Sequence, residues 1–237
     1  MKCLGLIGGM SWTSTISYYR RLNQLIAERL GGRHSARLLL YSVDFDAVER
    51  LQHAGRWDEA GELLADAARR LAAGGAEGIV LCTNTMHKVA GHIEAAVDLP
   101  LLHIADATGE AICAAGHRRV GLLGTSFTME QPFYRQRLVD RFALDVLVPG
   151  EKDREMIHRV IFDELCRERI EPASRRAYQR IVAGLAENGA EAVILGCTEI
   201  ALLIGPDDVS VPVFDTTELH VRAAVDFALG RTEPSRA

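Results

Sequence analysis

"GAEGIVLCTNT" at residues 75–85 and "GAEAVILGCTE" at residues 189–199 align without a gap. Each is an apolar run that stops abruptly at thiols, hydroxyls and an amide or carboxylate. That is the pattern of a buried strand whose end carries reactive groups. The match is not isolated. LGLIGG at 4–9 resembles VGLLGT at 120–125, and the helices that follow share a Tyr-Arg pair, Tyr19-Arg20 and Tyr134-Arg135. LPLLHIAD at 99–106 resembles VPVFDTTE at 211–218. Four matches in the same order, at a spacing far too long for a solenoid repeat, read as an internal duplication.

Between the apolar runs lie amphipathic stretches. CLGLIG, RLLLYSV, GIVLC and LLHI predict strands; TSTISYYRRLNQLIAERL, RWDEAGELLADAARRLAAG and the stretch after Thr85 predict helices. Strands alternating with helices give a parallel sheet covered on both faces. The expected fold is α/β, with two pseudo-symmetric Rossmann-like lobes, each a four-stranded parallel sheet flanked by helices. The expected boundaries are residues 1–104 for the first lobe, joined by a C-terminal helix over 216–230, residues 105–215 for the second, and a polar tail over 231–237. Ligands of open parallel sheets bind beyond the carboxyl ends of the strands. An active site is therefore expected in a cleft between the lobes, built from GGMSWTS, CTNT, GTSFT and CTE.

Composition narrows the function. The net charge of −5 gives no sign of a nucleic-acid or membrane partner. MKCLGLIGGM is too short and too rich in glycine for a signal peptide or a membrane span, so a cytoplasmic protein is expected. Five cysteines with no CxxC or Cys/His ligand spacing predict free thiols and no metal site. GLIGGM does not complete a GxGxxG dinucleotide fingerprint. Lys88 is the one lysine near the CTNT loop, with no phosphate-binding motif to accompany a pyridoxal phosphate Schiff base.

The gapless alignment sets Cys82 against Gly196 and Thr83 against Cys197. Side chains alternate along a strand, so Thr83 and Cys197 are expected to be equivalent, with Cys82 turned into the sheet packing. Cys3, Cys113 and Cys166 read as small buried hydrophobes. Cys197 reads differently. It ends an apolar strand before Thr198 and Glu199, at an expected helix N-terminus, which lowers a thiol pKa. Thr83, Asn84, Thr85 and Thr198 suit helix capping, and free N–H groups at two helix starts would cradle a carboxylate. His87 shares a helix face with Thr83 and reads as a supporting residue.

Taken together, "SVDF", "CTNTMHK", "LLHIAD", "LLGTSFTME", "FYRQRL" and "GCTEI" resemble the aspartate/glutamate racemase superfamily over nearly the whole chain, close to its broad-specificity amino-acid racemases. The resemblance implies a cofactor-independent, two-base racemase acting on a small amino acid, and a homodimer. In that family two cysteines work on opposite faces of Cα. The usual first motif is Cys-Asn-Thr and the second Gly-Cys-Thr. The second stands here at Gly196-Cys197-Thr198, but the first places Thr83 where the family has its cysteine. The implied catalytic pair is thus Cys197 and Thr83. The expected substrate contacts are Met10, Gln52, Asn84, Thr85, Thr125, Thr128, Thr198 and Glu199.

Aspartate-specific relatives hold the distal carboxylate with basic residues. The comparable stretches here offer Glu49, Arg50 and Gln52, and Cys166 with Arg167. Both arginines read as solvated helix residues, which leaves acidic and broader substrates open. Alternatives within the superfamily are hydantoin racemase, maleate isomerase and arylmalonate decarboxylase chemistry. An alternative of another class is a two-lobed binding protein without chemistry.

Overall fold

The computed structural model describes residues 1–231, so the expected polar tail lies outside the described residues except for Arg231. The chain divides into two compact units, Met1–His103 with the segment from His220 onward, and Ile104–Leu219.

The first unit runs β1 (Leu4–Gly8), α1 (Trp12–Leu30), β2 (Leu38–Ser42), α2 (Phe45–His53), α3 (Trp57–Ala73) and β3 (Gly78–Leu81). A 3-10 turn, Thr85–Val89, then leads into α4 (Ala90–Ala96) and β4 (Leu101–Leu102). The second unit runs α5 (Ile104–Ala114), β5 (Arg119–Gly124), α6 (Ser126–Glu130), α7 (Pro132–Phe142), β6 (Asp145–Leu147) and α8 (Glu151–Asp163). A turn at Leu165–Arg167 precedes α9 (Pro172–Glu187) and β7 (Ala192–Gly196). Short 3-10 turns at Ile200–Leu202 and Pro206–Asp208 then lead to β8 (Val213–Asp215). The helix α10 (Thr216–Ala228) begins in the second unit and ends in the first. The sheets are both parallel and share one topology, β2-β1-β3-β4 and β6-β5-β7-β8.

The repeated Gly-Ala-Glu has the same job twice. Gly75 and Gly189 end α3 and α9 at φ of 95° and 92°, a left-handed backbone that favours glycine. Ala76 and Ala190 N–H then bond back to Leu71 and Leu185. Next, the Glu77 carboxylate accepts the Cys3 N–H at 2.6 Å, and the Glu191 carboxylate accepts the Arg118 N–H at 2.7 Å. Each glutamate ties the start of β3 or β7 to the start of the neighbouring strand. The three-residue match therefore marks a shared way of entering the sheet.

Within the first unit, alternate residues feed two separate cores. Leu4, Leu6, Val80 and Cys82 pack with Tyr18 and Leu22 of α1 and Val221 and Phe227 of α10. Ile7, Ile79 and Leu81 pack with Val48, Leu64 and Met86 on the other face. Strands buried on both faces explain the unbroken apolar runs.

The Tyr-Arg correspondence between the halves fails in detail. Tyr134 is fully buried, but Tyr19 is 53% exposed, and Tyr18 is the buried tyrosine of α1. The reason is local: Pro132 starts a second helix after β5, where α1 runs unbroken, so the two helices enter their cores out of phase.

Candidate active site

All four candidate loops lie at the carboxyl ends of parallel strands, two in each unit. In the first unit they follow β1 and β3, which are hydrogen-bonded neighbours. Gly9, just past β1, has φ of 94°, and its N–H donates to Thr15 Oγ1 at 2.8 Å. A Cβ there would lie 2.2 Å from the Val43 carbonyl, so only glycine makes this turn. Met10 follows and is buried among the apolar residues of α2 and α3.

After β3 the backbone leaves its ladder. Thr83 N–H turns back to the Leu81 carbonyl at 2.8 Å, and Thr83, Asn84 and Thr85 are all buried. Cys82 has no exposed surface, and its sulfur lies 3.7 Å from the Val80 carbonyl. Burial among apolar side chains pushes its thiol far above the ordinary range. Nothing around it favours a thiolate.

The segment after Thr83 is a 3-10 turn rather than the start of an α-helix, and Asn84 at its head makes no side-chain capping bond. His87 Nδ1 lies 2.7 Å from the Thr83 carbonyl. Gln52 is buried on α2, and its amide donates to the Met86 sulfur at 3.0 Å. Arg50, two residues earlier, is exposed and paired with Asp46, as expected of a solvated helix face.

In the second unit Gly124 pairs directly with Gly196, bringing the loops after β5 and β7 together. Close packing explains both glycines: a Cβ on Gly124 would lie 2.9 Å from the Gly196 carbonyl. Thr125 caps α6, accepting the Thr128 N–H at 3.3 Å, and the two hydroxyls are 3.2 Å apart. The capping role expected of such residues is thus taken by Thr125.

Cys197 is 9% exposed. Its thiol donates to Glu199 Oε2 at 3.1 Å, and Thr198 Oγ1 donates to the same oxygen at 2.5 Å. The expected lowering of its pKa is corrected here. The thiol is pushed well above its ordinary value, first by burial and then by the negative charge of Glu199. The expected helix N-terminus is absent as well, because the residues that follow form only a three-residue 3-10 turn. Its few N–H groups set up no long aligned dipole. At neutral pH Cys197 is a thiol.

Sequence reasoning named Cys197, Thr198 and Glu199 separately but missed what surrounds them. Tyr178 and Cys166 both interact electrostatically with Cys197. Buried Tyr178 on α9 donates its hydroxyl to the Ile157 carbonyl at 3.2 Å. Its place among apolar positions of α9 was the one available signal. Arg167 beside Cys166 is exposed.

A groove of about 340 Å³ in the second unit is lined by residues outside these loops, among them Arg119, Pro149, Asp153 and Arg180. Its arginines are engaged, Arg119 with Asp145 and Arg180 with Asp153. Among the described residues no cluster of three or more His, Cys, Asp or Glu has the arrangement of a metal site. No described helix is long and apolar enough to cross a membrane.

Comparison with known proteins agrees with this architecture. The family model described as Asp/Glu/Hydantoin racemase matches residues 7–224. The crystal structure of a candidate Asp/Glu racemase from Yersinia pestis is 55% identical, with a TM-score of 0.91 over 97% of this chain and 100% of that one. An aspartate racemase homologue from Pyrococcus horikoshii OT3 is 36% identical, with a TM-score of 0.84 over 97% and 100%. Glutamate racemase from Pseudomonas aeruginosa is 32% identical over 126 residues, 52% of this chain and 46% of that protein. The chain thus matches about half the length of that curated relative. Broad specificity amino-acid racemase RacX from Bacillus subtilis is 22% identical over 94% of this chain and 96% of its own length. With a family model spanning all eight strands except the first residues of β1, this chain belongs to the Asp/Glu/Hydantoin racemase family.

Proposed function

We propose that the protein is a cofactor-independent amino-acid racemase that inverts Cα by proton transfer on two faces, with Cys197 on one and Thr83 on the other. The observation that carries this reading is the Cys197–Glu199 hydrogen bond at the end of β7 in a member of this family. A buried thiol with a carboxylate as its proton acceptor is a proton-transfer device. The inactive setting of Cys82 supports Thr83 as the partner group.

In this reading the substrate is met by the loops at the carboxyl ends of the parallel strands. Glu199 takes the proton from Cys197 Sγ, and the resulting thiolate removes the α-proton. The electron pair of the broken C–H bond delocalises into the substrate carboxylate, stabilised by donors from the strand-end loops. Asn84, Thr85, Thr125, Thr128 and Thr198 are the candidates for that contact, with Met10 and Gln52 nearer the side chain. Thr83 relays a proton from solvent water to the opposite face, regaining from the water the proton it gives up, and Glu199 releases the proton it took to solvent, which closes the cycle. Two groups are needed because a single base returns the proton to the face it left. A hydroxyl is a far weaker acid than a thiol, so the rate constants in the two directions differ, although the equilibrium between enantiomers stays at unity. Aspartate and glutamate head the substrate range, in line with the names of the relatives. The five free cysteines fit the reducing cytoplasm, and a homodimer is the expected assembly.

Deuterium incorporation at Cα in D₂O, over a panel of L- and D-amino acids with no added cofactor, tests the reading. Exchange on aspartate or glutamate is expected. Silence across the panel together with turnover of hydantoins, maleate or arylmalonates would move the protein to another activity of the superfamily. Binding without any exchange or turnover would make it a binding protein.

A further inference from the structure

The loop after β3 has a backbone problem that one side chain solves. In an α-helix the His87 N–H would reach the carbonyl four residues back, at Thr83. The 3-10 turn sends it to Asn84 instead, at 3.1 Å. The Thr83 carbonyl has also left the strand ladder, and Thr83 is buried, so it needs another donor. The His87 imidazole occupies that place, with Nδ1 2.7 Å from the oxygen. A carbonyl only accepts, so Nδ1 carries the hydrogen.

His87 is itself held. Its ring centroid lies 4.4 Å from that of His103 and 5.8 Å from that of His220. All three histidines are buried, at 3%, 6% and 0% exposure. His220 is locked in the opposite tautomer. Its Nε2 donates to the Leu102 carbonyl at 2.7 Å, and its Nδ1, 2.8 Å from the fully buried Tyr18 hydroxyl, accepts from it. Burial lowers the His220 pKa to about 4, which keeps this neighbour uncharged. The cluster draws on α1, the turn after β3, the end of β4 and α10, so four elements of one unit converge behind Thr83.

We infer that His87 is a positioning residue for Thr83. Its Nδ1–H fixes the Thr83–Asn84 peptide plane, and with it the direction of the Thr83 hydroxyl and the Asn84 N–H. This inference rests on the proposed two-face proton transfer. A hydroxyl that must meet a carbanion at one face of Cα tolerates little misplacement; an error of about 1 Å costs on the order of 10²-fold in rate.

Two measurements on the full chain test it. The first is the ¹⁵N spectrum of the histidine rings. His87 is expected as the Nδ1–H tautomer and His220 as the Nε2–H tautomer at neutral pH; His87 protonated at Nε2 alone would overturn the inference. The second is steady-state kinetics with Cα exchange. Asparagine places an N–H where Nδ1 sits, whereas leucine has no donor. His87→Leu is expected to lower kcat about 10–100-fold with KM within about threefold, and His87→Asn to restore kcat to within a few-fold of wild type. Should His87→Leu fail to fold, as judged by thermal melting, His87→Gln takes its place, since its amide reaches the Nε2 position instead. Equal loss in His87→Asn and in His87→Leu or its glutamine substitute, or no loss in either, would overturn the positioning role. A wild type silent across the amino-acid panel removes the racemase reading and the positioning role with it. The nitrogen spectrum then still decides the hydrogen bond, so the two failures are told apart.

Discussion

After β7 the chain presents a thiol whose proton is held by a carboxylate two residues on. After β3 it presents a hydroxyl whose own carbonyl is held by an imidazole four residues on. The two loops have matching sequences, leave matching strands and pass into 3-10 turns, Thr85–Val89 in one and Ile200–Leu202 in the other. Their support differs in kind. At Cys197 the neighbours act on the proton itself, because Glu199 both accepts the Sγ–H and raises the cost of the thiolate. At Thr83 they act on the backbone, because a hydroxyl is not stored as its anion at neutral pH and only its direction can be arranged. In the proposed racemase, one loop sets proton affinity and the other sets geometry.

Removing the central group of each loop gives the largest expected effects. Cys197→Ala should lower Cα exchange about 10³-fold or more, and Thr83→Ala about 10²-fold, the usual scale for an acid–base group. Deuterium incorporation read by mass spectrometry distinguishes them. Comparable losses in Thr83→Ala and Cys82→Ala would break the comparison, because the site would then draw on the residue buried in the sheet packing.

The buried histidines behind Thr83 sharpen it from the side of stability. His220 titrates near 4 in the folded protein and near 6.5 in the unfolded chain. Between these values the unfolded state binds the extra proton, so stability falls as pH drops from about 6.5 toward 4 and is intact above that window. The depression corresponds to a loss of roughly 3 kcal/mol. Urea unfolding of wild type against His220→Leu should show a steeper fall in stability over this window in the wild type than in the variant.

A smaller effect probes the charge at Cys197. Glu199→Gln removes the negative neighbour, so the thiol pKa should fall and alkylation of Cys197 at pH 8 should quicken several-fold, about as expected from loss of one nearby charge. Slower alkylation would show that Glu199 acts on Cys197 as a base only. The smallest effect belongs to Cys82→Ala, which removes one buried sulfur from the face packed by α1 and α10. It should cost about 1 kcal/mol in thermal unfolding and leave exchange within about twofold.

The sheets, their order of strands and helices, and the equivalence of the β3 and β7 ends were legible because burial on both faces writes long apolar runs into a sequence. The turns were not. Both the 3-10 geometry after Thr83 and the short turn after Cys197 depend on how the chain exits its strand, which local composition does not encode. The polar neighbours were equally hidden, since Tyr18 and His220 lie far apart along the chain and meet only through the packing of α1 against α10.

The sequence alone determined the duplication, the parallel architecture and the alignment of Thr83 with Cys197. Those rest on periodicity and alignment, which are properties of the chain. The tertiary structure decided the protonation of Cys197, because desolvation and a carboxylate at 3.1 Å outweigh the weak dipole of a three-residue turn. It also decided what holds Thr83, because a carbonyl abandoned by both strand and turn takes whatever donor the fold brings within reach.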